Sequence, residues 1–308
     1  MYSLVANGKP HRAMMSEISQ ELTAAIASNP VPAPIEVSLV LATLSRTDEL
    51  ANFLVYLDGQ SYRNFELIVV DQNDDGRLLP ILAPYQTRIP IKHVRSAPGL
   101  SRARNVGLTH ASGDVITFPD DDCWYDPDTL QTAINLLQQH PEWDGVTGAY
   151  NWPEGHLFDR RSGFLDRSNV WGRAISSTIF VRESVVKKVG KFDERLGVGS
   201  DSGFWSGEET DYLLRALENQ CRICYQHQLL VNHPPVSLVN DANLAQRGYR
   251  YGRGLGYTLR KHRYPVWYVG YVLLRAGSGM VVSLAKFDIA RAKYYGAVLR
   301  GRISGWLG

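Results

Sequence analysis

The chain has 308 residues, of which 44% are hydrophobic and 21% charged, with a net charge of +2. This composition excludes an intrinsically disordered or collagen-like chain and leaves enough apolar residues for one large core or two modest ones. Three cysteines, an odd number, argue against a disulfide framework.

The first 34 residues are Ala-, Ser- and Pro-rich and end in NPVPAP (Asn29 to Pro34). They read as a loosely held arm or short helix followed by a stiff linker. They lack the basic start, apolar run and cleavage site of a signal peptide, so the globular part is expected in the cytoplasm.

EVSLVLAT (Glu36 to Thr43) is a nearly continuous apolar run with β-branched residues, the pattern of a buried strand. Thr47 reads as an N-cap, with Leu50, Phe53, Leu54 and Leu57 following at helical spacing. FELIVVD (Phe65 to Asp71) is a second buried strand, closed by the turn signal NDDG, and IKHVR (Ile91 to Arg95) a short third. The Gly-led segment PGLSRARNVGLTHASG contains a helix, and DVITF (Asp114 to Phe118) is the next strand. Asp126 is placed to cap a helix that opens with Pro127 and runs to about Gln139. Beyond Asn151 the pattern is less regular. ISSTIFVR (Ile175 to Arg182) reads as a strand, SGEETDYLLRALEN (Ser206 to Asn219) as a helix and CRICYQHQLLV (from Cys221) as a late strand.

Strands alternating with helices predict an α/β fold with a mostly parallel, doubly wound sheet. Ligands of such sheets bind beyond the carboxyl ends of the strands. Those ends carry Thr43 and Arg46, Asp71 and Gln72, Arg95, and the triplet Asp120, Asp121 and Asp122. Three adjacent carboxylates repel one another, and a bound divalent cation is the simplest relief. A D-x-D spacing presents hard oxygen ligands suited to Mg²⁺ or Mn²⁺. The structural alternative is a solvated acidic turn. Cys221 and Cys224 form a C-x-x-C with His227 and His233 downstream, but residues three apart on a strand face opposite ways, so buried thiols are preferred over a zinc site.

The segments VSLVLATLSR, FELIVVDQNDDG, GLSRARNVGLTHASGDVITFPDDDCWYDPDTL, VRESVVKKVGKFDERLG and GEETDYLLRALENQ, in that order, resemble a family 2 glycosyltransferase of the GT-A fold over roughly Val37 to Pro234. The resemblance implies transfer of a sugar from a nucleotide diphosphate sugar to an acceptor, mostly with inversion, using Mn²⁺ or Mg²⁺. It implies that Asp120 and Asp122 hold the metal and diphosphate, with Asp121 at the ribose or donor sugar. Thr43, Arg46 and Asp71 match positions lining the nucleotide pocket. Gln72 stands where the family often has a second Asp, which leaves the base open. Gly99, Arg102, Arg104 and Asn105 match the Gly…ARN segment, in which Arg holds phosphate or orients the aspartates.

The family's general base is the Asp of a Glu-Asp pair at a helix start. Alignment places Glu208 and Glu209 there, so Glu209 is the first candidate, with Glu208 and Asp211 as alternatives. A capping box, Ser206-x-x-Glu209, is the structural rival. The family often has a His near His233 as a further metal or phosphate ligand. Trp205, Trp152 and Trp171 are candidates for stacking on a sugar face.

From Asn240 onward, 12 Lys and Arg face only Asp241 and Asp288. Val266 to Ala285 is a 20-residue apolar stretch with Arg275 near its middle, which would cost about 2.5–3.5 kcal/mol at a bilayer centre. Helices lying on an anionic membrane surface, with Trp267, Tyr268 and Tyr271 at the headgroups, are favoured over a span or a soluble hairpin. The expected organisation is an arm (1–34), a catalytic domain (35–235, with a nucleotide-sugar half 35–125 and an acceptor half 126–235) and a basic helical extension (236–308). The expected location is cytoplasmic, peripheral on the inner face of the membrane. The acceptor would be a polysaccharide or polyprenyl-linked glycan, and no nucleic-acid partner is expected. Two other readings remain: a non-catalytic nucleotide-sugar-binding protein, and a nucleotidyltransferase.

Overall fold

The structure, a computed structural model, describes residues 36–151, 159–234 and 243–308. The N-terminal arm and Trp152 lie outside the described residues. The apolar runs form strands where they are expected: β1 (Val37–Thr43), β2 (Phe65–Asp71), β3 (Ile91–Arg95) and β4 (Val115–Thr117). Later come β5 (Gly145–Asn151), β6 (Gly163–Phe164), β7 (Phe180–Arg182) and β8 (Ile223–Asn232). All eight join one sheet in the order β3-β2-β1-β4-β7-β5-β8-β6. β1 pairs in parallel with β2 and β4, β2 with β3, and β5 with β8. β7 runs antiparallel to both β4 and β5, and β6 antiparallel to β8. The sheet is therefore mixed and mostly parallel.

Helices cover both faces. α1 (Asp48–Asp58) buries Leu50, Phe53, Leu54 and Leu57, and packs with α4 (Thr129–Gln139) on the face formed by Leu39, Leu41, Leu67 and Val69. The opposite face, with Val40, Ile68 and Val70, receives α3 (Leu100–Leu108), α5 (Glu183–Val189) and α6 (Glu208–Glu218). Gly107 of α3 is required there, because a Cβ would lie 2.4 Å from the Val40 side chain. A short α2 (Leu79–Leu82) follows β2. The two cysteines of C-x-x-C divide between these faces, Cys224 in the first core and Cys221 in the second, and both are buried free thiols.

Three local expectations are corrected. Residues 176–178 form a 3₁₀ turn, so only Phe180–Arg182 is strand. Asp126 does not cap α4, which starts at Thr129; its carboxylate instead accepts from Asn232 Nδ2 at 2.9 Å. The capping box does not form, because Gly207 is the N-cap of α6 at φ 91° and the Ser206 hydroxyl donates to Tyr251 O at 2.8 Å. Thr47 occupies the N-cap position of α1 without a side-chain bond.

Three long helices end the chain: α7 (Leu244–Lys261), α8 (Val266–Ala285) and α9 (Ile289–Leu307). Gly248, Gly252 and Gly256 on α7 meet α9, whose Gly301 and Gly305 face back. A Cβ at Gly301 would stand 2.2 Å from Tyr249 O, and one at Gly305 2.0 Å from Arg253 O, so the two helix backbones touch. α7 also lies on the catalytic half, with Gly254 against Ser206 O. α8 is the one helix among the described residues long and apolar enough to cross a membrane, and it is mostly unburied. Val266, Trp267, Leu274 and Val281 are exposed along it.

Candidate active site

The acidic triplet follows β4 at the carboxyl end of the parallel strands, beside the ends of β1 and β2. There the chain leaves the sheet in a turn at Asp121 and Asp122, which frees their side chains from alternating into the two cores. Asp121 is held from β1: Thr43 Oγ1 donates to its Oδ2 at 2.6 Å and Arg46 Nη1 to its Oδ1 at 2.6 Å. Burial raises the Asp121 carboxyl to about 6 against the pull of Thr43 and Arg46. Arg46 Nη1 also donates to Asp122 Oδ2 at 2.6 Å, while His233 Nε2 lies 3.4 Å from Asp122 Oδ1. Burial would raise Asp122, but the His233 and Arg46 contacts outweigh it and lower its pKa. His233 is correspondingly raised: burial opposes its charge, and Asp122 prevails. Its ring stacks on Tyr150, centroids 4.9 Å apart.

Asp120 turns the other way. It accepts from Arg104 Nη2 at 3.1 Å and from Ser176 Oγ at 3.1 Å. Burial raises its pKa, with Arg104 opposing. Arg104, on α3 and 1% exposed, also reaches Glu208 Oε1 at 3.5 Å with Nη1. One guanidinium therefore links the rim of β4 to the first residue of α6. Glu208 and Glu209 each bury one carboxyl oxygen without a hydrogen-bond partner among the described residues, and both pKa values are raised, chiefly by burial. The Glu208 charge adds to burial in raising Glu209, while Arg104 opposes the rise of both.

The other residues singled out in the sequence divide between site and scaffold. Asp71 is fully buried and saturated by its own chain: Asn73 donates N–H at 2.9 Å, His93 Nε2 lies at 2.9 Å and Arg95 Nη1 at 3.1 Å. Gln72 accepts from Gly99 N at 2.8 Å and donates to Thr43 O at 3.4 Å, tying the start of α3 to the end of β1. Gly99 has φ 128°, the left-handed side that glycine accepts without strain. Asn105 braces the chain after α5, exchanging bonds with the Phe192 backbone and donating to Glu194 at 3.0 Å. Arg102 pairs with Glu194 and Asp201 at the surface. Trp205 lies under the Arg250 guanidinium, 4.0 Å from its ring centre, beside a cavity of about 400 Å³.

Asp211 is not offered to a substrate. Its fully buried carboxylate meets Lys261 Nζ at 2.6 Å, His262 Nε2 at 2.8 Å and Arg215 Nε at 3.0 Å, so it joins α6 to the end of α7. Sequence reasoning missed Ser176, which sits in a segment read as strand, and the Lys261–His262 partnership, for which the sequence holds no local signal.

Among the described residues no group of three or more His, Cys, Asp or Glu converges as a ready cation site. Asp122 and His233 do meet, and Asp120 shares their field. The Arg46 guanidinium, whose side chain is 43% exposed, covers the remaining Asp122 oxygen. The Asp120 and Asp122 carboxylates are oxygen donors of the kind a hard divalent ion takes.

A profile of "Glycosyl transferase family 2" matches residues 38–185. The uncharacterized glycosyltransferase YwdF of Bacillus subtilis (strain 168) is 31% identical over 191 residues, 59% of this chain and 70% of its own length. Among solved structures, the mannosyltransferase PcManGT from Pyrobaculum calidifontis, in complex with GDP-Man and Mn²⁺, has a TM-score of 0.60 at 13% identity, covering 94% of each chain. S. aureus TarS 1–349 in complex with UDP-GlcNAc has a TM-score of 0.56 at 16% identity, covering 88% of this chain and 91% of that one. The two structures establish the GT-A sheet, and the profile together with the Bacillus relative shows that this chain belongs to family 2 of the glycosyltransferases.

Proposed function

We propose that this glycosyltransferase moves a sugar from a nucleotide diphosphate sugar, a UDP-sugar foremost, to a hydroxyl of a polysaccharide or lipid-linked glycan, with inversion. The observation that carries this reading is Arg104, a buried cation holding Asp120 at 3.1 Å and Glu208 at 3.5 Å. It sets a donor-side carboxylate and an acid pair at a fixed spacing, as an in-line displacement needs. The nucleotide-sugar complexes of the two structural neighbours support the donor class.

Asp120, Asp122 and His233 would hold Mn²⁺ or Mg²⁺. Such an ion supplies charge neutralisation at the departing diphosphate. Thr43 and Arg46 fix Asp121 toward the donor. Glu209 accepts the proton of the acceptor hydroxyl as its oxygen bonds to C1 of the sugar, and the bond from C1 to the diphosphate oxygen breaks, releasing nucleoside diphosphate. Glu208 stays paired to Arg104 and holds Glu209 in place. The exposed apolar face of α8 and the Lys and Arg of the last three helices support attachment to the inner face of the cytoplasmic membrane.

The test is release of nucleoside diphosphate from a panel of nucleotide sugars with Mn²⁺ and candidate acceptors. Turnover that is lost in Asp122→Asn and in Glu209→Gln is the expected result. Tight donor binding without turnover in the unmodified protein, across all acceptors, refutes it and favours a non-catalytic role.

A further inference from the structure

Beside Glu209 the chain encloses a cavity of about 280 Å³ between α6 and the terminal helices. Its walls include Trp171, Glu209, Tyr251, Tyr294 and Arg302. Arg302 comes from α9, outside the profile match and far along the chain from the acid pair.

Arg302 and Arg253 are the two arginines among the described residues whose Nε is buried without a partner, and of the two Arg302 borders this cavity. Buried Arg104 meets two carboxylates, and Arg182 gives Nε and Nη2 to the carbonyls of Trp143 and Leu137. Arg302 gives only Nη1, to Val272 O at 2.5 Å, and its Nε is buried without a partner among the described residues. No carboxylate of those residues pairs with it. Burial lowers its pKa, and the Arg275 cation adds to the effect. A guanidinium nitrogen buried without a partner is costly, and part of that cost is recovered when an anion arrives. A guanidinium with no carboxylate partner favours a doubly charged phosphate over a singly charged carboxylate. The planar guanidinium of Arg302, of which only Nη1 is engaged, suits the forked contact that Arg makes to phosphate.

We propose that this cavity is a phosphate-recognising acceptor subsite, in which Arg302 holds a phosphate ester of the acceptor while Glu209 faces its reactive hydroxyl. The acceptor role rests on Glu209 being the base; the phosphate site itself does not. Its placement couples the terminal helices to chemistry. A displaced α9 would remove the anion contact without touching the acidic triplet.

The experiment is calorimetric titration of the full chain with glycerol 3-phosphate, octyl phosphate and glucuronate, each without donor. Both phosphates should bind more tightly than glucuronate. Arg302→Met should weaken them at least tenfold, Arg302→Lys less, and Arg291→Met, at the exposed start of α9, not at all. Tighter binding of octyl phosphate identifies a lipid-borne phosphate, and equal binding a water-soluble one. Equal affinity across the four proteins, or no uptake of either phosphate, overturns the proposal. Should Arg302→Met fail to fold, the phosphate-induced rise in Tm of Arg302→Lys against the unmodified protein decides the same question. Donor turnover in Glu209→Gln is read separately. If it persists while Arg302-dependent phosphate binding holds, Glu209 loses its role as base and the phosphate site stands.

Discussion

Replacing Arg104 with Met tests whether one buried cation holds the two halves of the site together. Met matches much of the aliphatic volume, so the loss is chiefly charge. Arg104 is 1% exposed and compensates Asp120 and Glu208 while its guanidinium lies 5.6 Å from the Phe192 ring centre. Removing one member of a buried pair costs about 3–5 kcal/mol. The two carboxylates do not contribute equally. Asp120 retains 28% side-chain exposure, so water replaces part of its lost partner, whereas Glu208 retains 8%. The lower end, about 3 kcal/mol, is therefore expected at pH 8.

The sign of the pH dependence follows from both carboxyls already being raised by burial. Without Arg104 they rise further, and protonation relieves the penalty. The difference between variant and parent is small near pH 4, where the unfolded carboxyls also hold protons, and grows as pH rises through their folded values. Urea unfolding of both proteins at pH 4.5 and pH 8 measures it. A difference below about 1 kcal/mol at pH 8, or one independent of pH, would refute the account of Arg104 as a buried counter-charge.

The remaining predictions concern the acid pair and the terminal helices. For turnover, kcat/KM should rise with pH along a limb well above the ordinary Glu value of about 4.3, because burial and Glu208 raise Glu209; a profile already flat at pH 5 contradicts this. Asp211→Asn should destabilise by about 3 kcal/mol at pH 7, since Lys261 and Arg215 lose their anion and His262 its carboxylate partner. Its pKa is lowered, burial being outweighed by His262, Arg215 and Lys261, so the loss should shrink as pH falls through the folded value, as followed by denaturant unfolding. Gly301→Val should part α7 from α9, because a Cβ there meets Tyr249 O at 2.2 Å. The expected cost is about 1–3 kcal/mol or more, with faster protease cleavage between the two helices; unchanged protection would show that the helices do not touch.

Much of the catalytic sheet is legible in the sequence, because its strands are buried on both faces and read as unbroken apolar runs. VSLVLAT and FELIVVD form strands over the residues their patterns indicate, and their ends put Thr43 and Asp71 beside the acidic triplet. Cys221 and Cys224 do fall in different cores, although Cys221 precedes β8, which starts at Ile223. Local polar chemistry is less dependable. Ser206, Thr47 and Asp126 all stand where capping residues stand, yet none caps a helix through its side chain, and two of them are drawn to distant partners.

What the sequence by itself determined is the periodicity: which segments extend, which coil, and that three carboxylates end a strand at the ligand-binding rim. The tertiary structure decided which charges meet. Arg104 with Glu208, Asp211 with Lys261 and His262, and Arg302 with the cavity beside Glu209 are pairings between residues far apart in the chain. Periodicity reports on a residue's immediate neighbours. The cost of burying a charge depends on everything packed around it, and that environment exists only once the chain has folded.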